Sequence, residues 1–288
     1  MLGPIFFLIF INDLGSEGTG LLSKFSDDTK LMKIVNTETD SKHLQRELDQ
    51  LQSWADAWSM NFNVNKCHVL HLGKNNKKFS YYMFGEEIAD MESIQDLGVE
   101  IDSSFKFSKQ AQIASKKANK IPGLICRKMS ARSKEVLVPL YQALVHPYLE
   151  YAVQFWRPFL KKDINLLEKV QRRATRVVSN LRSVDYSERL SILNLFSLER
   201  RRDRGDLIET FKILNGIDKI GHSVFELCNG SVTWGHNFKL RKPKCRTNAR
   251  YNFFSSRVVN MWNAFPHSVV NCTSVEQFKK KLDIYMEE

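Results

Sequence analysis

Apolar residues occur in two patterns along the chain, short continuous runs near its beginning and helical spacing further on. The first run, Leu2 to Ile11, contains no charged residue. It is too short to cross a bilayer, so it predicts a buried helix or strand. Residues 31–35 form a second apolar-rich run, and the polar stretch Phe25-Ser26-Asp27-Asp28 before it predicts a turn between two short strands.

Helical spacing begins near Ser41, after which apolar residues recur every three or four positions as far as Trp58. This spacing predicts an amphipathic helix with Asp40 as its cap. Short strands are predicted at residues 67–72, 79–84 and 94–101, with turns at Gly85 and at 102–104.

The second half of the chain is predicted to be mainly helical. A helix over residues 108–125 contains Pro122, which should kink or end it. Apolar positions between Ile164 and Val178 fall on one helix face, a further helix runs to about Leu214, and a last one covers 274–285. Residues 230–252 lack periodicity and predict a long loop or a partly ordered arm.

Length and cysteine content limit the class of protein. A chain of 288 residues is long enough for a real core, and it suggests two domains or one domain with a long appendage. No two of the five cysteines lie closer than 17 residues, which fits neither a zinc motif nor a tight disulfide framework. The cysteines are therefore interpreted as reduced intracellular thiols. His68 and His71 have no acid or cysteine at ligand spacing, which favours a structural role.

Charge is distributed unevenly between the two halves. Residues 1–105 carry 9 Lys and Arg against 16 Asp and Glu, whereas residues 106–212 carry 23 against 10. An acidic first part suits a metal or polar site, and a basic second part suits a polyanionic partner. On composition alone, the alternative that Lys and Arg only solvate helices is equally good.

The adjacent acids Asp27 and Asp28 are the first candidate for chemistry. Neighbouring side chains leave a strand on opposite faces, so the two carboxylates cannot both bind one ion head-on. Pairs of divalent cations held by carboxylates and substrate phosphates carry out nucleotidyl transfer. A polar hairpin tip explains an Asp-Asp turn equally well, so the surrounding residues must decide.

Those surroundings resemble a known family. Two motifs carry the resemblance, Leu2-Gly3-Pro4-Ile5-Phe6-Phe7-Leu8-Ile9-Phe10-Ile11-Asn12-Asp13-Leu14 and Lys24-Phe25-Ser26-Asp27-Asp28-Thr29-Lys30-Leu31. It continues in Asn65-Lys66-Cys67, Leu97-Gly98-Val99, Leu149-Glu150-Tyr151-Ala152, Val170-Gln171-Arg172-Arg173-Ala174-Thr175, Arg204-Gly205-Asp206-Leu207-Ile208 and Trp262-Asn263. With these residues, nearly the whole chain resembles the reverse transcriptases of non-LTR (LINE-type, jockey-like) retrotransposons.

The resemblance implies an α+β fold. It would consist of a truncated polymerase palm, with an antiparallel sheet and packed helices, followed by a mainly helical thumb and C-terminal region. The implied domains are a partial palm at 1–105, a basic helical thumb and connection at 106–215, and a C-terminal loop with a small helical region at 216–288.

The resemblance also implies roles for individual residues. Asp27 would be the principal ligand of Mg²⁺ and Asp28 an auxiliary one, while Leu97-Gly98-Val99 would be the primer grip. Lys66 stands where the family has a lysine that could protonate the leaving pyrophosphate, and an ordinary surface lysine is an equal alternative. The implied partners are an RNA template, a DNA primer or target and dNTPs, with no membrane and with action in the nucleus.

One part of the implied site lies outside the chain. In the family a third carboxylate lies on a strand well before the Leu-Gly-Pro segment, upstream of Met1, and Asp13 matches a position with no metal role. The chain alone is therefore expected to be an inactive fragment of an RNA-directed DNA polymerase. The alternative is a non-catalytic nucleic-acid-binding remnant of the element.

Two basic clusters are predicted to contact nucleic-acid phosphates. The first follows a helix and comprises Lys161, Lys162, Lys169, Arg172, Arg173 and Arg176. The second comprises Arg200, Arg201, Arg202 and Arg204, for which pairing with Glu199, Asp203 and Asp206 is the competing explanation. Phe155, Trp156 and Phe159 could stack on bases, but core packing is favoured for them.

Overall fold

The computed structural model describes residues 2–15, 20–219, 224–228 and 236–287. The chain divides into two compact units. The first comprises Met1–Asp96 and Ile101–Ser104, and the second comprises Leu97–Glu100 and Phe105–Glu288. No helix within the described ranges is long and apolar enough to span a membrane.

The first unit combines two helices with short strands. Its elements are α1 (Gly3–Phe10), β1 (Leu21–Phe25), β2 (Asp28–Met32), α2 (Glu38–Ala57), a 3₁₀ turn (Val64–Lys66), β3 (His68–Leu70), β4 (Tyr82–Met83), β5 (Glu86–Glu87) and β6 (Ala89–Met91). Strands β1 and β2 pair antiparallel, as do β4 and β5, whereas β3 and β6 pair in parallel. A last pair, β7 (Ser93–Asp96) and β8 (Val99–Asp102), occurs where the chain passes from one unit to the other.

Helix α1 corrects the prediction that the first apolar run is buried. The run is helical, but none of the helix residues is buried, and Ile5, Phe6 and Ile9 are exposed. Phe10, at the end of the helix, packs edge-on against Trp54 of α2 and against Trp58, the residue after α2. Pro4 in the first turn is compatible with a helix start. The apolar side chains of the segment do not by themselves bury it.

Helix α2 starts earlier than predicted because its cap is Thr37, not Asp40. The Thr37 hydroxyl accepts the Asp40 backbone N–H at 3.1 Å, and the Asp40 carboxylate accepts the Thr37 N–H at 2.9 Å. This reciprocal pair is a capping box, in which Asp40 is the third helical residue. On the apolar face of the helix, Leu51 and Ala55 are buried.

The predicted strand region at 94–101 is two strands joined by a tight turn. Leu97 and Gly98 form the turn with φ values of 44° and 82°. Two consecutive positive φ angles are the mark of a two-residue hairpin turn, which glycine favours at its second position. The turn predicted at Gly85 joins β4 to β5, and Gly85 has a φ of 77°.

The second unit is helical. Its helices are α3 (Ser108–Lys128), α4 (Lys134–Leu144), α5 (His146–Glu150), α6 (Val153–Trp156), α7 (Lys161–Thr175), α8 (Tyr186–Ile192), α9 (Leu198–Leu214), α10 (Asn248–Tyr251), α11 (Phe254–Arg257), α12 (Val259–Asn263), α13 (His267–Val270) and α14 (Val275–Glu287). Pro122 does not end α3, which continues for six more residues with Pro122 buried. A proline removes only one helical hydrogen bond, and the tertiary packing of α3 compensates for that loss.

Packing of α9 against α14 and the short helices forms one large core. Phe211 and Phe278 stack with their ring centroids 4.4 Å apart, and Trp262 is fully buried beside them.

The predicted loop at 230–252 is partly corrected. Residues 230–235 lie outside the described residues, but Leu240 is buried and is held by two backbone hydrogen bonds of 2.8 Å to the Asn263 side chain.

Candidate metal edge and candidate nucleic-acid surfaces

The β1–β2 hairpin presents the two adjacent acids at its tip. Phe25 pairs with Asp28 across the hairpin, so Ser26 and Asp27 form the two-residue turn. Ser26 has a φ of 54°, a conformation that such a turn requires of at least one residue. Asp27 and Asp28 are both exposed, which leaves their carboxylates free to meet a cation.

Lys24 ties this hairpin to the end of α1. Its ammonium group donates to the backbone carbonyls of Ile11, Asn12 and Leu14 at 2.9, 2.7 and 3.2 Å. These carbonyls belong to the turn that follows α1, where a cation also interacts favourably with the negative end of the helix dipole. The two motifs that carry the sequence resemblance are therefore joined by a direct contact, which sequence reasoning did not find.

A second anchor of the hairpin is the buried carboxylate of Glu47 in α2. The backbone N–H of Gly20 donates to both of its oxygens at 3.1 Å, and Lys33 donates to Oε1 at 2.6 Å. A Cβ at Gly20 would lie 2.4 Å from Oε2 of Glu47, so a side chain here would displace the carboxylate from this position. Sequence reasoning missed Glu47, although an acid beside the apolar face of a helix is a signal for such a contact.

The described part of the first unit supplies two carboxylates to the hairpin tip and no complete metal cage. Within the described residues, no three His, Cys, Asp or Glu side chains are grouped so that they could hold a metal ion. Asp13 instead accepts a hydrogen bond from the indole N–H of Trp54 at 3.3 Å. Exposed carboxylates are the hard oxygen ligands that Mg²⁺ takes, but it normally completes its shell with waters and substrate oxygens.

Lys66 lies at the end of the 3₁₀ turn that leads into β3, and its side chain is exposed. His71, a few residues later, contacts Asp90 at 3.1 Å. That contact provides a structural role for the histidine. Protonation of the leaving pyrophosphate by Lys66 stays a prediction.

The predicted primer grip is a rigid turn inside the second unit. The Tyr151 hydroxyl donates to the carbonyl of Leu97 at 2.9 Å, and the ring packs against Gly98. A Cβ at Gly98 would lie 3.4 Å from a ring carbon of Tyr151. Val99, the residue after the turn, is buried, whereas the Leu97 side chain is exposed. Its function in gripping a primer remains a prediction.

Helix α7 exposes its basic residues and buries its acids. All six predicted cations are exposed: Lys161, Lys162, Lys169, Arg172, Arg173 and Arg176. The two acids of the helix are buried and accept hydrogen bonds from neutral donors. Asp163 accepts from the Ser108 hydroxyl at 2.5 Å, and Glu168 accepts from the backbone N–H of Leu198 at 3.1 Å and from the Tyr186 hydroxyl. The exposed charge of α7 is therefore almost purely positive.

Helix α9 uses its arginines inside the protein. Arg201 forms two hydrogen bonds with Glu150, of 2.5 and 2.8 Å, and Arg204 forms two with Asp283, of 2.5 and 3.0 Å. Burial opposes the negative charge of Glu150, but Arg201 outweighs it and lowers the pKa of that carboxyl. Pairing within the protein, the competing explanation for this cluster, thus accounts for both residues, although with other acids than predicted.

The remaining two arginines of the α9 cluster are also withdrawn from solvent, Arg200 through contacts and Arg202 through burial. Arg200 lies over the ring of Phe196 at 4.2 Å and donates to the Met286 carbonyl at 2.5 Å. Arg202 is only 2% exposed, and burial, followed by the nearby Arg157, lowers its pKa to about 10. A buried guanidinium cannot reach a phosphate backbone outside the protein. The burial of Arg202 therefore does not support its predicted nucleic-acid role.

The acids predicted to answer the α9 cluster have other partners. Asp206 is fully buried and accepts from Arg157 at 3.0 Å and from Arg257 at 2.8 and 2.9 Å. Asp203 accepts from Arg157 at 2.6 Å. This network joins α9 to α11 and to the residue after α6.

The core packing favoured from the sequence for the aromatic residues after α5 is confirmed for Trp156, whereas Phe155 is 38% exposed and Phe159 is partly buried. Trp156 is fully buried, and its indole N–H donates to the Tyr151 carbonyl at 2.6 Å. Phe155 packs edge-on against Phe107 with their ring centroids 5.5 Å apart. These rings stabilise the helical unit.

Comparison with curated proteins finds relatives of this chain among the polymerases of mobile elements. The RNA-directed DNA polymerase from the mobile element jockey of Drosophila melanogaster is 25% identical to this chain over 195 residues, and its counterpart from Drosophila funebris is 27% identical over 195 residues. This chain is similar to RNA-directed DNA polymerases of mobile elements. A probable RNA-directed DNA polymerase from transposon BS of Drosophila melanogaster is 23% identical over 199 residues.

The extent of these matches is limited. Each covers 62% of the chain, and the chain spans about a fifth of the length of these polymerases, 21% for the jockey proteins and 22% for the BS protein. No protein-family model matches the chain. No solved structure matches it either.

Proposed function

We propose that this chain is part of the RNA-directed DNA polymerase of a non-LTR retrotransposon, in which the β1–β2 hairpin carries metal ligands for nucleotidyl transfer. The observation that carries the proposal is the exposed Asp27-Asp28 tip, held in place through Lys24 by the end of α1. The similarity to mobile-element polymerases supports it.

In this proposal Asp27 is the principal ligand of Mg²⁺ and Asp28 an auxiliary one. The bound metal would lower the barrier by neutralising charge on the reacting phosphates. The exposed tip fits such an ion, but two adjacent carboxylates are too few for a two-metal site. Within the described residues no third side chain completes the group, and the proposal expects the chain alone not to extend a primer.

The proposed substrates are an RNA template, a DNA primer or target and dNTPs, and the proposed compartment is the nucleus. The turn Leu97-Gly98, fixed by Tyr151, is the candidate primer grip. Lys66 is the candidate donor of a proton to pyrophosphate. The exposed cations of α7 are the candidate contacts to the phosphate backbone.

Primer extension on an RNA template with Mg²⁺ tests the proposal. The chain would be assayed alone and as a chimera in which the segment of the jockey polymerase before the matching region precedes it. The chimera is expected to extend the primer and the chain alone is not. Asp27→Asn in the chimera should reduce incorporation by several orders of magnitude, since it removes the charge that holds the metal.

Asp13→Asn in the same chimera is the matched control. The amide keeps an oxygen that can accept from Trp54, so activity should stay within a few-fold of the unchanged chimera. Equal activity of the Asp27→Asn and Asp13→Asn chimeras would refute the metal role of the hairpin. Robust extension by the chain alone would refute the claim that it lacks a ligand.

A further inference from the structure

The C-terminal half of α7 lines a pocket that is positively charged on every side. The pocket has a volume of about 550 Å³ and lies within the second unit. Its lining residues are Cys126, Arg132, Lys169, Arg172, Arg173, Arg176, Val177 and Arg182. Six of these eight are cations, all six are exposed, and no acid is among the lining residues.

The spacing of the α7 residues places their charges on one face. Lys169, Arg172, Arg173 and Arg176 follow one another at i, i+3, i+4 and i+7. Like charges at these spacings destabilise a helix, although the negative end of the helix dipole offsets part of the repulsion. The dipole does not explain why Arg132 and Arg182 converge on the same pocket from other segments.

Two contacts hold the pocket in shape. The backbone N–H of Ser179 donates to the carbonyl of Arg132 at 2.9 Å, which joins the segment before α4 to the segment after α7. The guanidinium of Arg172 lies 4.7 Å above the ring of Tyr186. The Tyr186 hydroxyl donates to the buried Glu168 and accepts from Gln171 at 3.0 Å. Arg172 is therefore oriented before any ligand arrives, which reduces the entropy lost on binding.

The six cations of the pocket differ from the arginines of α9 in their ion pairing. None of them forms an ion pair with an acid in the described chain, in contrast to the arginines of α9. Guanidinium groups bind phosphate through paired hydrogen bonds. No aromatic side chain is among the described residues that line the pocket, so it offers no aromatic ring on which a base could stack. The chemistry is that of phosphate recognition without base recognition.

The basic face of α7 extends beyond the pocket. Lys162 lies seven residues before Lys169 and therefore on the same face, and it is exposed. From Lys162 to Arg176 the helix rises about 21 Å, a length that spans about six phosphates of one strand of a B-form duplex. A single small anion would use only one end of this surface.

We infer that this pocket binds the phosphate backbone of a nucleic acid, independently of base sequence, with Arg132 and Arg182 closing over phosphates that α7 contacts. The inference rests on the proposed function, from which it takes the nucleic acid as partner. It adds two residues from other segments and a mode of recognition to the exposed face of α7.

Fluorescence anisotropy with a labelled 20-nucleotide strand, at salt concentrations from 50 to 200 mM, measures the contribution of the two added arginines. Arg132→Ala/Arg182→Ala should weaken binding at least tenfold at low salt. The slope of log affinity against log salt should become shallower by about 1.4 to 1.8, since each phosphate contact contributes about 0.7 to 0.9.

Arg127→Ala/Lys128→Ala is the matched control. It also removes two exposed charges near the end of α3, but neither residue lines the pocket. Binding should change less than twofold. Equal losses in both double variants would overturn the pocket, because they would reflect net charge alone. A preference of more than tenfold for one base sequence would overturn backbone recognition.

Alkylation of Cys126 provides a readout that needs no substitution. The thiol lines the pocket and is partly accessible, and Cys228 is an exposed thiol outside it. A saturating oligonucleotide should slow alkylation of Cys126 by iodoacetamide at least fivefold, with no effect on Cys228, as read by mass spectrometry. Unchanged Cys126 reactivity in the presence of the oligonucleotide would overturn the proposal. It would also be overturned if millimolar inorganic phosphate protected Cys126 fully and the oligonucleotide gave no further protection.

These binding measurements use the full chain without dNTPs. They are independent of Asp27, and the Asp27→Asn variant should bind as the unchanged chain does. Failure of the pocket and failure of the polymerase proposal are therefore distinguishable.

Discussion

Helices α7 and α9 look alike in sequence and differ in what their charges do. Each carries a dense cluster of basic residues, six from Lys161 to Arg176 and four from Arg200 to Arg204. On α7 all six cations are exposed, and the four from Lys169 to Arg176 line a pocket that has no acid among its lining residues. On α9 three of them contact Glu150, Asp283, Phe196 and a backbone carbonyl, and the fourth, Arg202, is buried.

The difference lies in acids that are distant in sequence. Glu150 and Asp283 lie 51 residues before Arg201 and 79 residues after Arg204. The acids of α7 itself are buried and accept hydrogen bonds from Ser108, Tyr186 and Leu198. A basic helix thus keeps its cations exposed when its own acids are buried against neutral donors, and it becomes a structural element when other segments supply acids.

The largest predicted effect concerns the carboxylate at the centre of the α9 network. Asp206→Asn should lower the free energy of unfolding by about 3–5 kcal/mol, because it leaves Arg157 and Arg257 buried without their common counter-ion. The shift of the urea midpoint at unchanged slope measures it.

Glu188→Gln is the control for that change. It makes the same carboxylate-to-amide substitution at an exposed position of α8 and should alter stability by less than about 0.5 kcal/mol. An Asp206→Asn protein as stable as this control would show that the buried pairs of α9 do not hold the second unit together.

A smaller effect is expected from His146, whose environment includes Arg201. Burial, followed by the charge of Arg201, lowers the pKa of His146 to about 4. Between pH 6.5 and 4 the unfolded chain binds a proton that the native histidine does not, so stability should fall as the pH falls through this window. At pH 4 the loss approaches about 3 kcal/mol relative to pH 7.

The variant His146→Gln isolates this contribution. The quantity to compare is the unfolding free energy from pH 7 to pH 4 in both proteins, since other groups titrate in both. The unfolding free energy of the protein with His146 should fall more steeply towards acid pH than that of the variant. Parallel curves would mean that His146 titrates normally in the folded protein.

The pair of Arg204 and Asp283 should contribute less, because both side chains are partly exposed. A double-mutant cycle with Arg204→Met and Asp283→Asn should give a coupling of about 0.5–1 kcal/mol. Zero coupling would place Arg204 with the unpaired arginines of α7 and weaken the contrast between the two helices.

Local pattern was enough to predict much of this protein. The spacing of Leu51 and Ala55 marked α2, and the polar residues between two apolar runs marked the β1–β2 hairpin. These features depend on residues close in sequence. The Asp-Asp tip itself acquired a chemical meaning only through its resemblance to a family.

Contacts between distant segments were not predictable in the same way. The exposure of α1 and the continuation of α3 through Pro122 depend on which surfaces pack against those helices. Likewise, no local pattern shows that Lys24 caps the end of α1 or that Glu47 binds Gly20. The paired acids of α9 belong to the same class, which is why its arginines resembled a binding surface.

The salt dependence of nucleic-acid binding compares the two helices most directly. Arg172→Ala/Arg173→Ala and Arg201→Ala/Arg204→Ala each remove two positive charges, and both proteins would be assayed at a temperature where circular dichroism shows them folded. The α7 variant should lose at least tenfold in affinity, with a slope shallower by about 1.4 to 1.8. The α9 variant should keep the unchanged slope. Equal slopes for both variants would contradict the division of the basic residues into a binding helix and a structural one.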